Sequence, residues 1–223
     1  MKNLLSITVL AGIVQLLAVL PLNAQKKVSE LSLIYDYSAG AVVKGGQGGA
    51  NEYAVHSIYI KGSKSRSEMT TPLFSSTTLF DANTGFAVIL KEVSGQKLLI
   101  RLNPENWVER NRGYEGMVFK NTTETKEIAG YKCIKAVGQT KSGITVTVFY
   151  TRDLIPENKE YDPAFKSLEG LPLEYELTNG DIQIRYRISK INLNPVPASK
   201  FDVPKTGYRE MNYEESKKLN IGG

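Results

Sequence analysis

Gly170-Leu171-Pro172-Leu173-Glu174-Tyr175-Glu176-Leu177-Thr178-Asn179-Gly180-Asp181-Ile182-Gln183-Ile184-Arg185-Tyr186-Arg187-Ile188 decides the fold. Leu173, Tyr175 and Leu177 alternate with Glu174, Glu176 and Thr178. Ile182, Ile184, Tyr186 and Ile188 alternate with Gln183, Arg185 and Arg187. Successive strand side chains point to opposite faces, so both runs have one apolar and one charged face. Asn179-Gly180 between them is a favoured two-residue hairpin turn, because both residues tolerate positive φ. The charged face, with Glu174 and Glu176 opposite Arg185 and Arg187, reads as a solvated outer surface stitched by cross-strand ion pairs. The apolar face covers either ordinary core or a pocket.

The same signature extends over the chain. Leu31, Leu33, Tyr35 and Tyr37 alternate, and 52–61 and 64–70 read as two further strands around Gly62. Hairpins follow: 76–81 turns at Asn83-Thr84-Gly85 into 86–93, and Ser94-Gly95 leads into 96–102. Then 131–139 turns at Lys141-Ser142-Gly143 into 144–151. Connections this short join antiparallel neighbours. Helical signals are few. Asn103-Pro104 and Asp162-Pro163 each supply an N-cap followed by proline in the first helical position, and 212–220 reads as a short terminal helix. The expected fold is mainly β: a single curved antiparallel sheet, a half-barrel, with two or three short covering helices. An open sheet of about ten strands tends to curl, and the Trp107 and Phe165 segments are its available covers.

Residues 1–24 read as a secretory signal peptide. Lys2 precedes an apolar run from Leu4 to Leu20, and Ala24 sits at the cleavage position. Residues 25–223 then form one domain. Removal of Lys2 with the leader lowers the formal charge from +5 to +4. The basic residues are interleaved with acidic ones, so no nucleic-acid stripe is expected. No cysteine stands near Ala24 to carry a lipid, and a periplasmic or secreted protein without a stable membrane anchor is expected. Cys133 is the only cysteine, expected buried and inert. Gly45 to Gly49 is a flexible loop without the Lys-Ser/Thr of a phosphate loop.

Catalytic and metal chemistry is poorly supplied. His56 is the only histidine, within a strand, and no second imidazole exists for a metal site or relay. There is no Gly-x-Ser-x-Gly elbow. Asp81-Ala82-Asn83-Thr84-Gly85 begins like a calcium loop but runs into apolar residues where its terminal Glu belongs. No enzyme activity, metal or cofactor is expected.

Gly170-Leu-Pro-Leu-Glu-Tyr-Glu176 resembles a motif of an uncharacterised family of small exported envelope proteins from Gram-negative bacteria. So do Ile128-Ala-Gly-Tyr-Lys-Cys133, Val148-Phe-Tyr-Thr-Arg-Asp153 and the closing Pro204-Lys-Thr-Gly-Tyr208. These pieces span roughly residues 127–208. At fold level that family is similar to the periplasmic lipoprotein carriers, whose half-barrels cover an apolar cavity. The resemblance implies a soluble carrier of a lipid or acyl chain; a non-catalytic structural or interaction module with a filled core is the alternative, its protein partner unknown. Candidate cavity walls are Phe86, Val88, Leu90, Leu98, Ile100, Val146, Val148, Leu173, Tyr175, Ile182, Ile184 and Tyr186, with Trp107 and Phe165 as lids. A continuous apolar void of several hundred Å³ would distinguish the carrier from the filled module.

Overall fold

The computed structural model describes residues 25–41, 54–72, 74–93 and 95–218. The leader, the Gly45–Gly49 loop, Ser94 and the end of the expected terminal helix lie outside the described residues.

The chain forms β1 (Lys26–Val28), β2 (Glu30–Ala41), β3 (Ala54–Lys61), β4 (Lys64–Thr70), β5 (Phe74–Asp81), β6 (Ala87–Val93) and β7 (Gln96–Leu102). Helix α1 (Pro104–Arg110) follows. Then come β8 (Lys120–Ile128), β9 (Tyr131–Gln139), β10 (Thr145–Thr151), β11 (Leu154–Pro156), β12 (Leu171–Asn179), β13 (Ile182–Asn192), β14 (Arg209–Asn212) and α2 (Tyr213–Lys218). Twelve strands make one open sheet in the order β14-β7-β6-β5-β4-β3-β2-β13-β12-β10-β9-β8. It is curved and not closed into a barrel. Two local meanders, β2 to β7 and β8 to β13, meet where β2 pairs with β13.

Two pairings depart from the antiparallel expectation. β14 lies parallel to β7 at one edge, and β1 lies parallel to β11 in a separate two-stranded piece. Neither short strand carries an alternating pattern. The edge strand β8, Lys-Asn-Thr-Thr-Glu-Thr-Lys-Glu-Ile, is almost wholly exposed. With no apolar face it gives no periodic signal, and its charges blunt an edge that could otherwise pair with another chain.

The β12–β13 hairpin forms with its turn displaced by one residue. Asn179 pairs with Ile182, which leaves Gly180-Asp181 as the loop, and Gly180 alone takes positive φ, 57°. The partner of Leu177 is therefore Ile184. A shift of two in partner leaves every side chain on its expected face. The start of β12 explains the Gly-Leu-Pro-Leu stretch. A Cβ on Gly170 would stand 1.9 Å from the carbonyl oxygen of Thr151, so only glycine fits. Pro172, which has no N–H to give, pairs with Tyr150 at a register break in the β10–β12 ladder, the position where an interior strand tolerates proline. Its carbonyl accepts a hydrogen bond from the Tyr35 hydroxyl at 2.8 Å. The Ile128–Cys133 stretch is a hairpin corner rather than one strand: Ala129 and Gly130 both take positive φ between β8 and β9.

The face of the sheet that α1 covers carries two cores. The larger packs Leu31, Leu33, Tyr35, Val146, Val148, Leu173 and their neighbours, with Phe165 set into it from the 3₁₀ turn Pro163–Phe165. The smaller lies at the β5–β7 end: Phe80, Ile89, Leu98, Ile100 and Leu102 pack with Met211 and Tyr213, and Trp107 rests on them. Trp107 stacks on Phe80 with centroids 4.4 Å apart. Its helix starts as expected: the Asn103 side chain caps Asn106, the Asn106 side chain returns the bond, and Pro104 occupies the first turn.

Candidate functional site

Between the two cores the covered face changes character. Directly opposed residues share a face, and the registers His56↔Met69↔Ser76 and Ile58↔Ser67↔Thr78 carry hydroxyls across β4 and β5 where neighbouring strands carry Leu, Ile and Val. Small side chains cannot reach the covering helix, and a cavity of about 310 Å³ remains. Its sheet wall includes His56, Ser67, Ser76 and Thr78. Its opposite wall is built by Trp107, Arg110 and Asn111 from the α1 segment, with Tyr161 and Asp162 from the 3₁₀ turns that precede β12. Tyr186 and Phe80 close it with aromatic rings.

A second cavity of about 550 Å³ lies between the α1 segment and the 160–167 stretch. It shares Trp107, Asn111, Tyr114 and Pro163 with the first. Its own lining is more apolar: Val108, Met117 and Val118 contribute, and Val108 and Val118 are 64% and 68% exposed. The two cavities thus adjoin at shared residues, a more apolar mouth rimmed by Glu115, Glu160 and Lys166 and a more polar chamber.

His56 is buried in the chamber wall. Its Nε2 lies 2.8 Å from Ser67 Oγ and its Nδ1 3.4 Å from the Tyr175 hydroxyl. Burial lowers its pKa to about 4, so the ring is neutral at pH 7. A Ser–His pair invites comparison with a hydrolytic nucleophile. The activating parts differ, however: the group behind the imidazole is a phenol, which cannot stabilise an imidazolium as a carboxylate does. Ser67 also sits mid-strand, paired with Ile58 and Thr78, where backbone N–H groups serve the ladder rather than an oxyanion hole. The arrangement orients hydrogen bonds and gives no strong base.

Asp162 is half-buried, and its carboxylate accepts the Ala164 N–H at 3.0 Å. Burial raises its pKa to about 6, against the lowering effect of that bond. Tyr161 is buried, and its hydroxyl has no hydrogen-bond partner among the described residues. Among the described residues no cluster of three or more His, Cys, Asp or Glu is placed to hold a metal. Cys133 is buried, and burial pushes its thiol up to about 11, which leaves no thiolate for chemistry at pH 7.

The wall residues expected from sequence scatter over several environments. Trp107 and Tyr186 line the chamber. Val146, Val148, Leu173 and Tyr175 are packed core, and Phe165 lies edge-on to Tyr175 at 4.7 Å as a plug rather than a movable lid. Leu98 and Ile100 belong to the smaller core. The β6 residues are out of phase: Thr78 and Phe80 face the chamber and pair with Ile89 and Ala87, so Phe86, Val88 and Leu90 point to the opposite face. Phe86 is 58% exposed there. Ile184 is half-buried opposite Leu177. Ile182 is 60% exposed because the displaced turn puts it at the hairpin tip.

The charged face of the hairpin also differs from a plain wet surface. Glu176 pairs with Arg185 at 2.7 Å, as expected. Glu174 likewise pairs with Arg187, at 3.6 Å, but is buried. Lys126 reaches across from β8 to bond it at 2.7 Å, passing 3.8 Å from the Phe149 ring centroid. The chamber's Ser67, Ser76, Thr78, Asn111, Tyr161 and Asp162 were not among the candidates. Their signal was Ser-Arg-Ser-Glu-Met and Ser-Ser-Thr-Thr, strands polar on both faces.

No family model matches the chain, and no curated protein matches it. Among solved structures the chain is similar to PNGF-II, at 15% identity and a TM-score of 0.50, over 86% of this chain. It spans 33% of that protein's length. That likeness shows the fold class, an open curved β-sheet with few helices. An uncharacterized conserved protein from Thermus thermophilus aligns over 85% of this chain and 92% of its own, with 8% identity and a TM-score of 0.48. The Mycobacterium tuberculosis lipoprotein LppX aligns over 74% of this chain and 88% of its own, with 13% identity and a TM-score of 0.33. Among the described residues no helix is long and apolar enough to cross a membrane.

Proposed function

We propose that this chain is an exported, non-catalytic binding module of the cell envelope that holds an amphipathic small molecule such as a lipid. The observation that carries this reading is the pair of neighbouring cavities that share Trp107, Asn111, Tyr114 and Pro163 in their linings. The 550 Å³ mouth offers apolar surface to an acyl or similar chain, and the 310 Å³ chamber offers hydrogen bonds to a polar end. Together they fall in the size range of small-molecule sites. Each CH₂ that leaves water in the mouth contributes about 0.8 kcal/mol. The leader-like first 24 residues support export to the periplasm. Of the expected apolar face of the β12–β13 hairpin, Leu173 and Tyr175 are packed core, and Tyr186 is the residue that borders the chamber.

Native mass spectrometry of the protein purified from the periplasm tests this. A retained adduct of lipid-like mass, lost on Val108→Lys at the mouth, is the expected result. Recovery of the bare polypeptide alone, under conditions that keep lipid on a control carrier, overturns it and favours an interaction module.

A further inference from the structure

The chamber's lining is chemically balanced in a way that selects among polar head groups. Its sheet wall presents the hydroxyls of Ser76 and Thr78, each able to donate and to accept, beside that of Ser67, which is bonded to His56 Nε2. His56, neutral at pH 7, completes that row. The opposite wall offers one anionic acceptor, Asp162, and donors from Asn111 and Arg110. The buried Tyr161 hydroxyl, without a partner among the described residues, borders the same space. Aromatic rings of Trp107, Tyr186 and Phe80 supply flat apolar walls around these groups.

Resting on the two-part site proposed above, we infer that the chamber takes a neutral, hydroxyl-rich ring, a sugar or polyol, as the polar end of the ligand. Such a ring has hydroxyls round its edge, which donate and accept at once, and C–H groups on its faces, which suit aromatic walls. A phosphate or carboxylate head would share the chamber with the Asp162 carboxylate, and an ammonium head would share it with the Arg110 guanidinium. A head of either sign would therefore meet one like charge as well as one opposite charge, whereas a neutral ring meets no like charge. Lys91, on the chamber-facing side of β6, adds a second cation beside Arg110, its pKa lowered by burial and by the positive charge of Arg110. A charged competitor therefore belongs in the test.

Trp107 is the sole tryptophan and lines both cavities, so its fluorescence reports occupancy. The mature chain is titrated below micelle-forming concentrations with four probes that share one tail: octyl β-glucoside, octyl sulfate, octyltrimethylammonium and octanol. The glucoside is expected to saturate with a Kd at least about tenfold below those of both charged probes, as one or two added hydrogen bonds would give. Asp162→Asn and Ser76→Ala should each weaken the glucoside several-fold and leave octanol unchanged; Ser76 is half-buried and its truncation spares the fold. A charged probe that binds as tightly as the glucoside, or a glucoside no tighter than octanol, overturns the inference and leaves the two-part site standing. Failure of all four, octanol included, overturns both.

Discussion

Two regions of the covered face, the strands around the β2–β13 seam and the middle of β4 and β5, use the same pleat and fill it differently. On β10, β12 and β2 the inward positions are Val146, Val148, Leu173, Tyr175, Leu33 and Tyr35, all at most 5% exposed, and Phe165 plugs the remaining gap. On β4 and β5 the equivalent positions hold Ser67, Met69, Ser76 and Thr78, and the cover is a helix whose Trp107 stacks on Phe80 near the end of β5 rather than on these smaller residues. Alternation reports which way a side chain points. Whether the space it points into is filled depends on side-chain size and on what hangs above. The difference separates a region that holds the fold together from one that can hold something else.

The sharpest way to break the filled half is Gly170→Ala. Its Cβ would meet a backbone oxygen, Thr151 O, at 1.9 Å, and the clash cannot be relieved by a rotamer change. A loss of about 3 kcal/mol or more in urea unfolding is expected; a loss below about 1 kcal/mol would show that the β10–β12 start can shift freely. Next comes Leu173→Ala, fully buried in the larger core, with an expected loss of about 2–5 kcal/mol. Ser76→Ala in the hollow half should lie within about 0.5 kcal/mol of the parent. Equal losses at the two positions would erase the distinction between the halves.

The pH dependence sharpens the comparison, because His56 and Asp162, both in the chamber lining, have pKa values moved to about 4 and about 6. His56 has a folded pKa near 4, below its ordinary 6.5, so the unfolded chain binds the extra proton between those values. Its contribution is complete above pH 6.5 and is lost as pH falls towards 4, by about 2–3 kcal/mol. Asp162 has the opposite sign. With a folded pKa near 6 against an ordinary 3.8, the folded chain binds the extra proton, and stability falls as pH rises through that window. His56→Gln should therefore reverse the slope: its stability should rise on acidification from about pH 6 to about pH 4, where the parent's falls or stays level. Urea midpoints across that range decide it, and an unchanged slope would remove the neutral, buried histidine from the account. The smallest effects belong to the outward residues. Phe86→Ser and Ile182→Ser should each change stability by less than about 0.5 kcal/mol, and a loss above about 2 kcal/mol at Phe86 would place it inside after all.

Much of the sheet was legible because Leu31–Tyr37, Leu173–Leu177 and Ile182–Ile188 alternate over enough residues to fix both strand and face. The α1 cap was legible too, since Asn103-Pro104 encodes its own geometry. The edge strands β8 and β14 were not, because an edge with little burial has no period to read. The β6 phase was lost for the opposite reason: Phe86 to Leu90 is apolar at every position, so the run marks a strand without saying which set faces in. The chamber escaped because its defining residues are small and polar, and polarity on both faces of β4 and β5 resembles an exposed strand until α1 is seen to cover one of them.

The seam between the meanders has a kinetic consequence. Each meander is assembled from hairpins whose partners are close in sequence, whereas β2 meets β13 across most of the chain; Ser189 bonds the Ile34 carbonyl over 155 positions. Closing so long a loop costs entropy before its contacts repay it. The two meanders should therefore gain their local strand pairs early, and the rate at which the whole chain becomes native should follow the docking of β13 onto β2, with Tyr35 and its bond to Pro172 among the last native interactions to form.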